Sequence, residues 1–181
     1  MPHIHTSPNQ HDHTVTAYII RTDGSYPRVL LHRHKYLGKL LPPGGHIELD
    51  ETPWAALLHE VREESGYDVS QLMVLQPQLR VRQEDVLGVT LHPQPILMNT
   101  HDITPDHYHS DTGYALLVRE DPKYFLAAGE STDMRWLTVE DLMSLSGDEI
   151  WPNVRNTYLA LVDRFMSEWE AVPASYFSAG K

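Results

Sequence analysis

The chain has 181 residues, of which 41% are hydrophobic and 22% are charged, with a formal net charge of −11 at pH 7. This composition is typical of one ordinary globular domain and excludes a disordered chain. The acidic charge argues against a general nucleic-acid binder, and no run of residues has the length of a membrane span or the apolar core of a signal peptide. Because the chain has no cysteine, disulfides, thiolate metal sites and a cysteine nucleophile are excluded, and we expect a cytoplasmic protein.

The start of the chain is polar and predicts an exposed N-terminal arm over residues 1–13. Metal binding is the alternative interpretation, because four of these residues are histidines: His3, His5, His11 and His13. Residues 14–21 are rich in β-branched and aromatic side chains and predict a strand. A turn at Asp23 and Gly24 and a second strand over residues 27–33 follow.

The second half of the chain predicts further strands and two helices. Strands are expected over residues 72–75, 79–86, 95–100, 113–119 and 134–137. A small helix is expected over residues 139–145, and apolar residues at helical spacing predict an amphipathic helix over residues 151–169. Together with the helix described next, this order of elements is typical of an α+β sandwich with a mixed sheet between helices.

A proline–glycine loop leads into the helix that carries the acidic side chains of interest. In Pro42–Gly45, the prolines hold the chain extended, and the glycines allow backbone angles that let an amide or carbonyl point into a site. Asp50 or Thr52 can cap the helix, and Pro53 suits its first turn, where no amide donor is needed. Gly66 ends the helix, as a left-handed cap would.

Three carboxylates, those of Glu60, Glu63 and Glu64, fall within an arc of roughly 100° on this helix. At an effective dielectric of about 20, two bare charges at such spacing repel by roughly 3 kcal/mol, which favours a shared cation. The cations that prefer oxygen ligands are Mg²⁺, Mn²⁺ and Ca²⁺. An ordinary solvated acidic face is the alternative. A neighbouring arc is apolar and predicts the buried side of the helix: Trp54, Leu57, Leu58 and Val61.

The stretch resembles the signature of the Nudix hydrolases, G-x5-E-x7-R-E-U-x-E-E-x-G-U, in which U is a bulky aliphatic residue. His59 replaces the arginine of this signature, and Tyr67 replaces its last aliphatic residue. The resemblance implies an α+β fold, a Nudix-type α/β/α sandwich with a mixed central sheet over residues 14–172, followed by a tail over residues 173–181. Seven of the nine defined positions match: Gly45, Glu51, Glu60, Val61, Glu63, Glu64 and Gly66.

The resemblance also implies a metal site and catalytic residues. The carboxylates of Glu60, Glu63 and Glu64 and the carbonyl of Gly44 would hold Mg²⁺ or Mn²⁺. Either Glu60 or Glu64 would orient or deprotonate the attacking water, and the spacing leaves this choice open. Glu130, just before the last predicted strand, lies where many members bring a further acid back to the metals. Two nearby acids are rivals for this role: Glu120 and Asp133.

His59 takes the place of the family's arginine, which pairs with carboxylates of the signature and sets their orientation. Histidine has at most two donors and is charged only when its pKa is high enough. Four carboxylates nearby, Glu51 included, favour the charged form, so His59 would replace the arginine electrostatically while bracing less rigidly. The alternative is a site that is drifting out of use.

A second group of candidates lies outside the helix. His107, His109 and Asp111 alternate, so in an extended strand they share one face. That face could reach the phosphates of a substrate or a second metal, and His46 in the glycine loop is a further substrate-binding candidate. A polar turn and a packing role in the loop are the alternatives.

The function implied is metal-dependent hydrolysis of a diphosphate linkage in a nucleoside diphosphate-linked small molecule. An ADP-ribose-like substrate is the first expectation and a nucleoside triphosphate the second. The alternative is a non-catalytic sensor domain of the same fold that binds nucleotide metabolites. No nucleic-acid or membrane partner is expected, and a homodimer is possible.

Overall fold

The computed structural model describes residue 7, residues 9–82 and residues 89–177 of the chain. Within these ranges, nine strands form a single mixed sheet with the central order β3-β2-β1-β7-β5-β9. β4 and β7 pair with β1, β6 pairs with β7, and β8 pairs with β2. The strands are β1 (Gln10–Arg21), β2 (Arg28–Arg33), β3 (Leu40–Leu41), β4 (Gly44–His46), β5 (Met73–Gln76), β6 (Leu97–Thr104), β7 (His107–Val118), β8 (Met134–Leu137) and β9 (Glu170–Pro173).

The principal helix, α1 (Pro53–Ser65), has the ends that its sequence predicts. The hydroxyl of Thr52, not the carboxylate of Asp50, caps it by accepting a hydrogen bond of 3.2 Å from the amide of Ala55. Gly66 ends it with a φ of 75°, a conformation that a residue with a Cβ adopts only under strain. The predicted apolar side is buried at Trp54, Leu57 and Val61, while Leu58 packs partly buried against the same core.

The remaining helices are short and lie in the last third of the chain. α2 (Val139–Ser144) confirms the small helix predicted over residues 139–145. The helix predicted over residues 151–169 forms three consecutive segments: α3 (Pro152–Ala160), a π-helical turn (Leu161–Phe165) and α4 (Met166–Glu168). Among the described residues, no helix combines the length and the apolar character that crossing a bilayer demands.

The sheet separates two apolar cores, because successive side chains of a strand point to opposite faces. Ala17 of β1 belongs to the core that holds Trp54 and Leu57 of α1. Tyr18, the next residue of β1, belongs to the core that holds Tyr158 of α3. Helices thus cover both faces, and the prediction of an α+β sandwich with a mixed central sheet is confirmed.

Three segments differ from their predictions. β1 begins at Gln10, so residues 10–13 extend the sheet, whereas the prediction placed them in the exposed arm. Residues 10–13 are polar and therefore do not show the apolar pattern of a strand. They pair in parallel with residues 107–110 of β7, which are equally polar. Residues 79–82 form no strand, and the rest of the strand predicted over residues 79–86 lies outside the described residues. Gly44–His46, predicted as loop, pairs with β1 as β4.

The two predicted terminal segments are only partly described. His3 and His5 of the arm lie outside the described residues, as do residues 178–181 of the predicted tail. Within the tail, Pro173 ends β9 and Ala174 is fully buried, so its first residues pack on the domain.

Candidate active site

The glycine loop and α1 bring two glutamates against the backbone of β4. The amide of Gly44 donates a hydrogen bond of 2.9 Å to Oε2 of Glu64. The carboxylate of Glu60 lies over Gly45, where an added Cβ would be only 2.0 Å from Oε1. An added Cβ on Gly44 would be 2.2 Å from the backbone oxygen of Val15 on β1. Each glycine therefore allows a close approach that a larger residue would block.

The carboxylates of Glu60 and Glu64 are largely shielded from solvent, and this burial raises the pKa of each. Burial raises the pKa of Glu60 to about 7, with Glu63, Glu130 and Glu51 adding to the rise and His59 opposing it. Burial raises the pKa of Glu64 to about 8, and the charge of Glu60 adds to the rise while the Gly44 amide opposes it. Buried carboxylates that repel one another form a set of oxygen donors that fits a hard divalent cation such as Mg²⁺ or Mn²⁺.

His59 connects two signature glutamates at the solvent edge of α1. Its Nδ1 lies 3.1 Å from Oε1 of Glu51 and its Nε2 lies 3.2 Å from Oε1 of Glu63. Because both ring nitrogens face carboxylates, both contacts are hydrogen bonds only when the ring is the doubly protonated imidazolium. Partial burial opposes the charge, but the hydrogen bonds to Glu51 and Glu63 outweigh it and raise the pKa of His59 above its usual 6.5. These two contacts are the ones expected if His59 replaces the family's arginine in pairing with carboxylates of the signature.

Glu130, which lies far from α1 in the sequence, is a further acid that is electrostatically coupled to this site. After burial, its negative charge is among the causes that raise the pKa of Glu60 and of Glu64. Its carboxylate lies 3.6 Å from Nζ of Lys35. The two rivals are engaged elsewhere: Asp133 pairs with arginines at 3.0 and 2.9 Å, and Glu120 accepts a hydrogen bond from Gln71.

His32 also lies beside the glutamates, although its sequence context gave no reason to expect it in the site. Nε2 of His32 lies 3.6 Å from Oε2 of Glu64, and the histidine is buried. Burial and the nearby charge of His34 lower the pKa of His32 to about 4, so the ring is neutral at pH 7. Side chains alternate between the two faces of β2, so His32 lies on the same face as Leu30, which belongs to the core under α1. This alternation is the sequence feature that could have placed His32 near the glutamates.

An open cleft of about 500 Å³ also adjoins the acidic side of α1. Its wall includes His59 and Glu63, and its far side holds Tyr124 and Phe125. Phe125 is 100% exposed, and the guanidinium of Arg62 lies 4.3 Å from the centre of the Tyr124 ring. The cleft thus combines aromatic rings with the glutamate site. Tyr124 and Phe125 are about 60 residues from α1 in the sequence, so their proximity to α1 is a result of folding.

The four predicted substrate-binding residues gather in a second place. Ring centres of His46 and His109 are 4.7 Å apart, and those of His107 and His109 are 5.2 Å apart. Asp111 is fastened beside them by hydrogen bonds of 2.9 Å from the hydroxyls of Thr14 and Thr16.

This polar cluster lies on the other face of the sheet from the glutamates. His46 and Gly45 are consecutive in β4 and point to opposite faces, and it is Gly45 that contacts Glu60. Burial lowers the pKa of His109 to about 4, and the electrostatic effect of the neighbouring His46, His101 and His107 acts in the same direction. The histidines therefore do come together, but not with the carboxylates of α1.

Comparison with known proteins identifies the family to which this chain is similar. The family model described as "NUDIX domain" matches residues 11–158. A "MutT-like protein" from Streptomyces ambofaciens is 42% identical over 64 residues, which cover 35% of this chain and 40% of the length of that relative. A NUDIX-family hydrolase from Clostridium perfringens is 29% identical, with a TM-score of 0.68 over 85% of this chain and 97% of that one.

More distant structures share the fold alone. The Ap4A hydrolase of C. elegans is 16% identical, with a TM-score of 0.55 over 87% of this chain and 97% of that chain. The NUDIX domain of NrtR from Shewanella oneidensis, solved with ADP-ribose, is 15% identical, with a TM-score of 0.55 over 86% of this chain and 88% of that chain.

Proposed function

This chain belongs to the Nudix family, and from that premise we propose that it is a divalent-metal-dependent hydrolase of diphosphate linkages in nucleoside diphosphate-linked small molecules. The observation that carries the proposal is the arrangement of Glu60 and Glu64. Both carboxylates are buried against the glycine strand β4, with pKa values raised to about 7 and about 8. A protein gains nothing in stability by burying two such acids together, so a role in binding a cation and moving a proton explains them better.

The metal would be held by the carboxylates of Glu60, Glu63 and Glu64 and by the carbonyl of Gly44. When bound, Mg²⁺ or Mn²⁺ neutralises charge on the diphosphate and lowers the pKa of a coordinated water. These oxygen donors are the type that both ions prefer.

The protein's own groups would orient the reaction and accept a proton. A carboxylate whose pKa lies near the working pH is well matched to general-base catalysis, and Glu60 and Glu64 both meet that condition. Glu130, coupled to both, is a further acid of the site. His59 would keep Glu63 in place from the solvent side through its bridge to Glu51. The amide of Gly44 would fix Glu64 from the opposite direction.

For the substrate, an ADP-ribose-like molecule is the first candidate and a nucleoside triphosphate the second. The aromatic cleft beside α1 supports a nucleoside, since the fully exposed ring of Phe125 offers a face for a base to stack on. Two proteins of the same fold are consistent with this class, because one is an Ap4A hydrolase and one binds ADP-ribose.

A sensor domain that binds such a metabolite without cleaving it is the second candidate. The ADP-ribose complex of the NrtR domain favours it, since that domain shares the fold. The signature carboxylates of this chain, all retained, support the enzyme instead.

The test is a turnover screen with Mg²⁺ and with Mn²⁺ on ADP-ribose, dinucleoside polyphosphates, nucleotide sugars, NADH and nucleoside triphosphates. Product masses identify the bond that is cleaved. Glu63→Gln is expected to abolish release of a nucleoside monophosphate, and Glu140→Gln, at an exposed position of α2, serves as the matched control. Metal-dependent binding of ADP-ribose without turnover of any compound would replace the enzyme with the sensor.

A further inference from the structure

Three histidines and one aspartate converge on the face of the sheet that does not carry the glutamates. They come from three strands: Asp12 from β1, His46 from β4, and His107 and His109 from β7. Strand register produces the convergence, because Asp12 is opposite His109 and Thr14 is opposite His46. We propose that these four side chains bind one first-row transition-metal ion, at a site separate from that of the glutamates.

The spacing of the donor atoms is close to that of ligands around a single ion. One ligand atom from each histidine lies within 4.8 Å of the others. Oδ2 of Asp12 lies 3.5 Å from Nε2 of His107 and 3.8 Å from Nε2 of His46. Around tetrahedral zinc, with bonds of about 2.0–2.1 Å, neighbouring ligand atoms are about 3.3 Å apart. The three imidazole donors must therefore turn inward to share one ion, and Asp12 is placed to join them beside His46 and His107.

The donor chemistry distinguishes this site from the one on α1. Three imidazoles and one carboxylate form a set that suits Zn²⁺, Co²⁺ or Ni²⁺, whereas an all-oxygen set suits Mg²⁺ or Mn²⁺. The ring planes of His46 and His109 are 86° apart, and those of His107 and His109 are 88° apart, so the rings converge edge to face without stacking.

Burial is compatible with this role. Asp12 is only 3% exposed, and its carboxylate faces the imidazoles of His46 and His107. A divalent cation would balance the charge of the buried carboxylate while leaving the three imidazoles neutral, which is the form in which histidine is a ligand. The side chains of His46 and His107 retain 12% and 11% of their exposure, so an ion can enter from solvent.

The ion would also connect strands that position the glutamates. His46 directly follows Gly44 and Gly45, which contact Glu64 and Glu60. A metal bound at His46 would tie β4 to β1 and β7, and would therefore raise the melting temperature of the protein.

The experiment uses the full untagged chain, stripped of metal by a chelator, with CoCl₂ as the probe in buffer without phosphate. We expect one equivalent of Co²⁺ to bind with the visible absorption of a four-coordinate site. His107→Ala and His109→Ala should each weaken this binding by roughly tenfold or more. His13→Ala is the matched control, since it is exposed on β1 one residue from Asp12 and points to the other face.

Two further variants identify competing sites. Glu63→Gln tests the glutamate site, and the double variant His3→Ala, His5→Ala tests the N-terminal histidines, and neither should change the Co²⁺ spectrum. Loss of the spectrum in either variant, or no effect of the β7 substitutions, would overturn the proposal. So would a changed KM for the hydrolysed substrate in His107→Ala with Co²⁺ binding intact, since the pocket would then bind substrate.

A measurement on the wild type avoids any variant that fails to fold. X-ray absorption of the zinc-loaded protein should show three imidazole ligands on the ion. A spectrum with only oxygen ligands would place the zinc elsewhere and refute the site.

Discussion

Gly45→Ala is expected to impair the proposed hydrolase activity while leaving the protein folded. An alanine Cβ at this position would lie 2.0 Å from Oε1 of Glu60, whereas such contacts are essentially never below 3.0 Å. The Glu60 carboxylate must therefore move by about 1 Å, and displacing a catalytic group by that distance costs about 100-fold in rate. At about 1.36 kcal/mol per tenfold, this corresponds to about 2.7 kcal/mol in the activation barrier.

The assay is kcat/KM with saturating Mg²⁺ on the best substrate of the screen, together with a thermal melt of each protein. Gly45 has no positive φ and meets only the free end of a side chain, so its melting temperature should change little. Gly44→Ala should behave in the opposite way, because its Cβ would meet the backbone oxygen of Val15 at 2.2 Å and push β4 from β1. Gly147→Ala, with nothing within 4 Å, is the control that should match the wild type.

A Gly45→Ala protein with wild-type turnover would refute this reasoning. It would mean that the position of the Glu60 carboxylate against β4 is irrelevant to the reaction. Equal loss of stability in Gly45→Ala and Gly44→Ala would also count against this reasoning. The expectation is that a clash with a movable side chain costs less stability than a clash with the backbone.

Three further predictions concern charge and the core. His59→Ala should lower kcat/KM by roughly tenfold because the bridge between two glutamates is lost. We expect the activity of the wild type to decline at high pH as the imidazolium loses its proton, and His59→Arg should preserve activity and remove that decline. An unchanged pH profile in His59→Arg would contradict this. In metal-free protein, the pKa values of Glu60 and Glu64 are raised from 4.5 to about 7 and about 8, so the folded state holds more protons than the unfolded chain and stability should fall as pH rises through that window. Calorimetry should show the fall, a smaller one in Glu60→Gln, and a larger gain from MgCl₂ at pH 8 than at pH 5; a melting temperature independent of pH would disprove it. Tyr158→Phe should cost about 0.5–1.5 kcal/mol in urea unfolding, since it removes the hydrogen bond of 2.6 Å that the buried hydroxyl donates to the carbonyl of Leu30. The exposed Tyr176→Phe is its control, and equal effects of the two would count against the prediction.

Features that depend on neighbouring residues were predictable. The cap at Thr52 and the stop at Gly66 follow from side-chain and backbone chemistry within one helical turn. The spacing that places Glu60, Glu63 and Glu64 on one side of α1 depends only on the helical period. The Nudix signature is likewise a pattern within about two dozen consecutive residues, so the resemblance could be recognised from the sequence. The family match over residues 11–158 confirms it.

Features that depend on strand register were not predictable. The first residues of β1 are polar because they pair with polar residues of β7, and a polarity pattern alone cannot distinguish such a strand from an exposed arm. His32 reaches Glu64 only because β2 lies under α1. Glu130 was one of three acids that the sequence left open, and folding engages the other two elsewhere.

The sequence alone therefore determined the family, the helix α1 with its ends and the set of carboxylates on that helix, since each is encoded over short separations. Only the tertiary structure decided that Glu60 lies on Gly45, that His32 reaches Glu64, and that the histidines meet on the opposite face of the sheet. The physical reason is that each of these contacts joins different elements of the fold: Asp12 and His107 are separated by most of the domain, and the parallel pairing of β1 with β7 brings them to 3.5 Å.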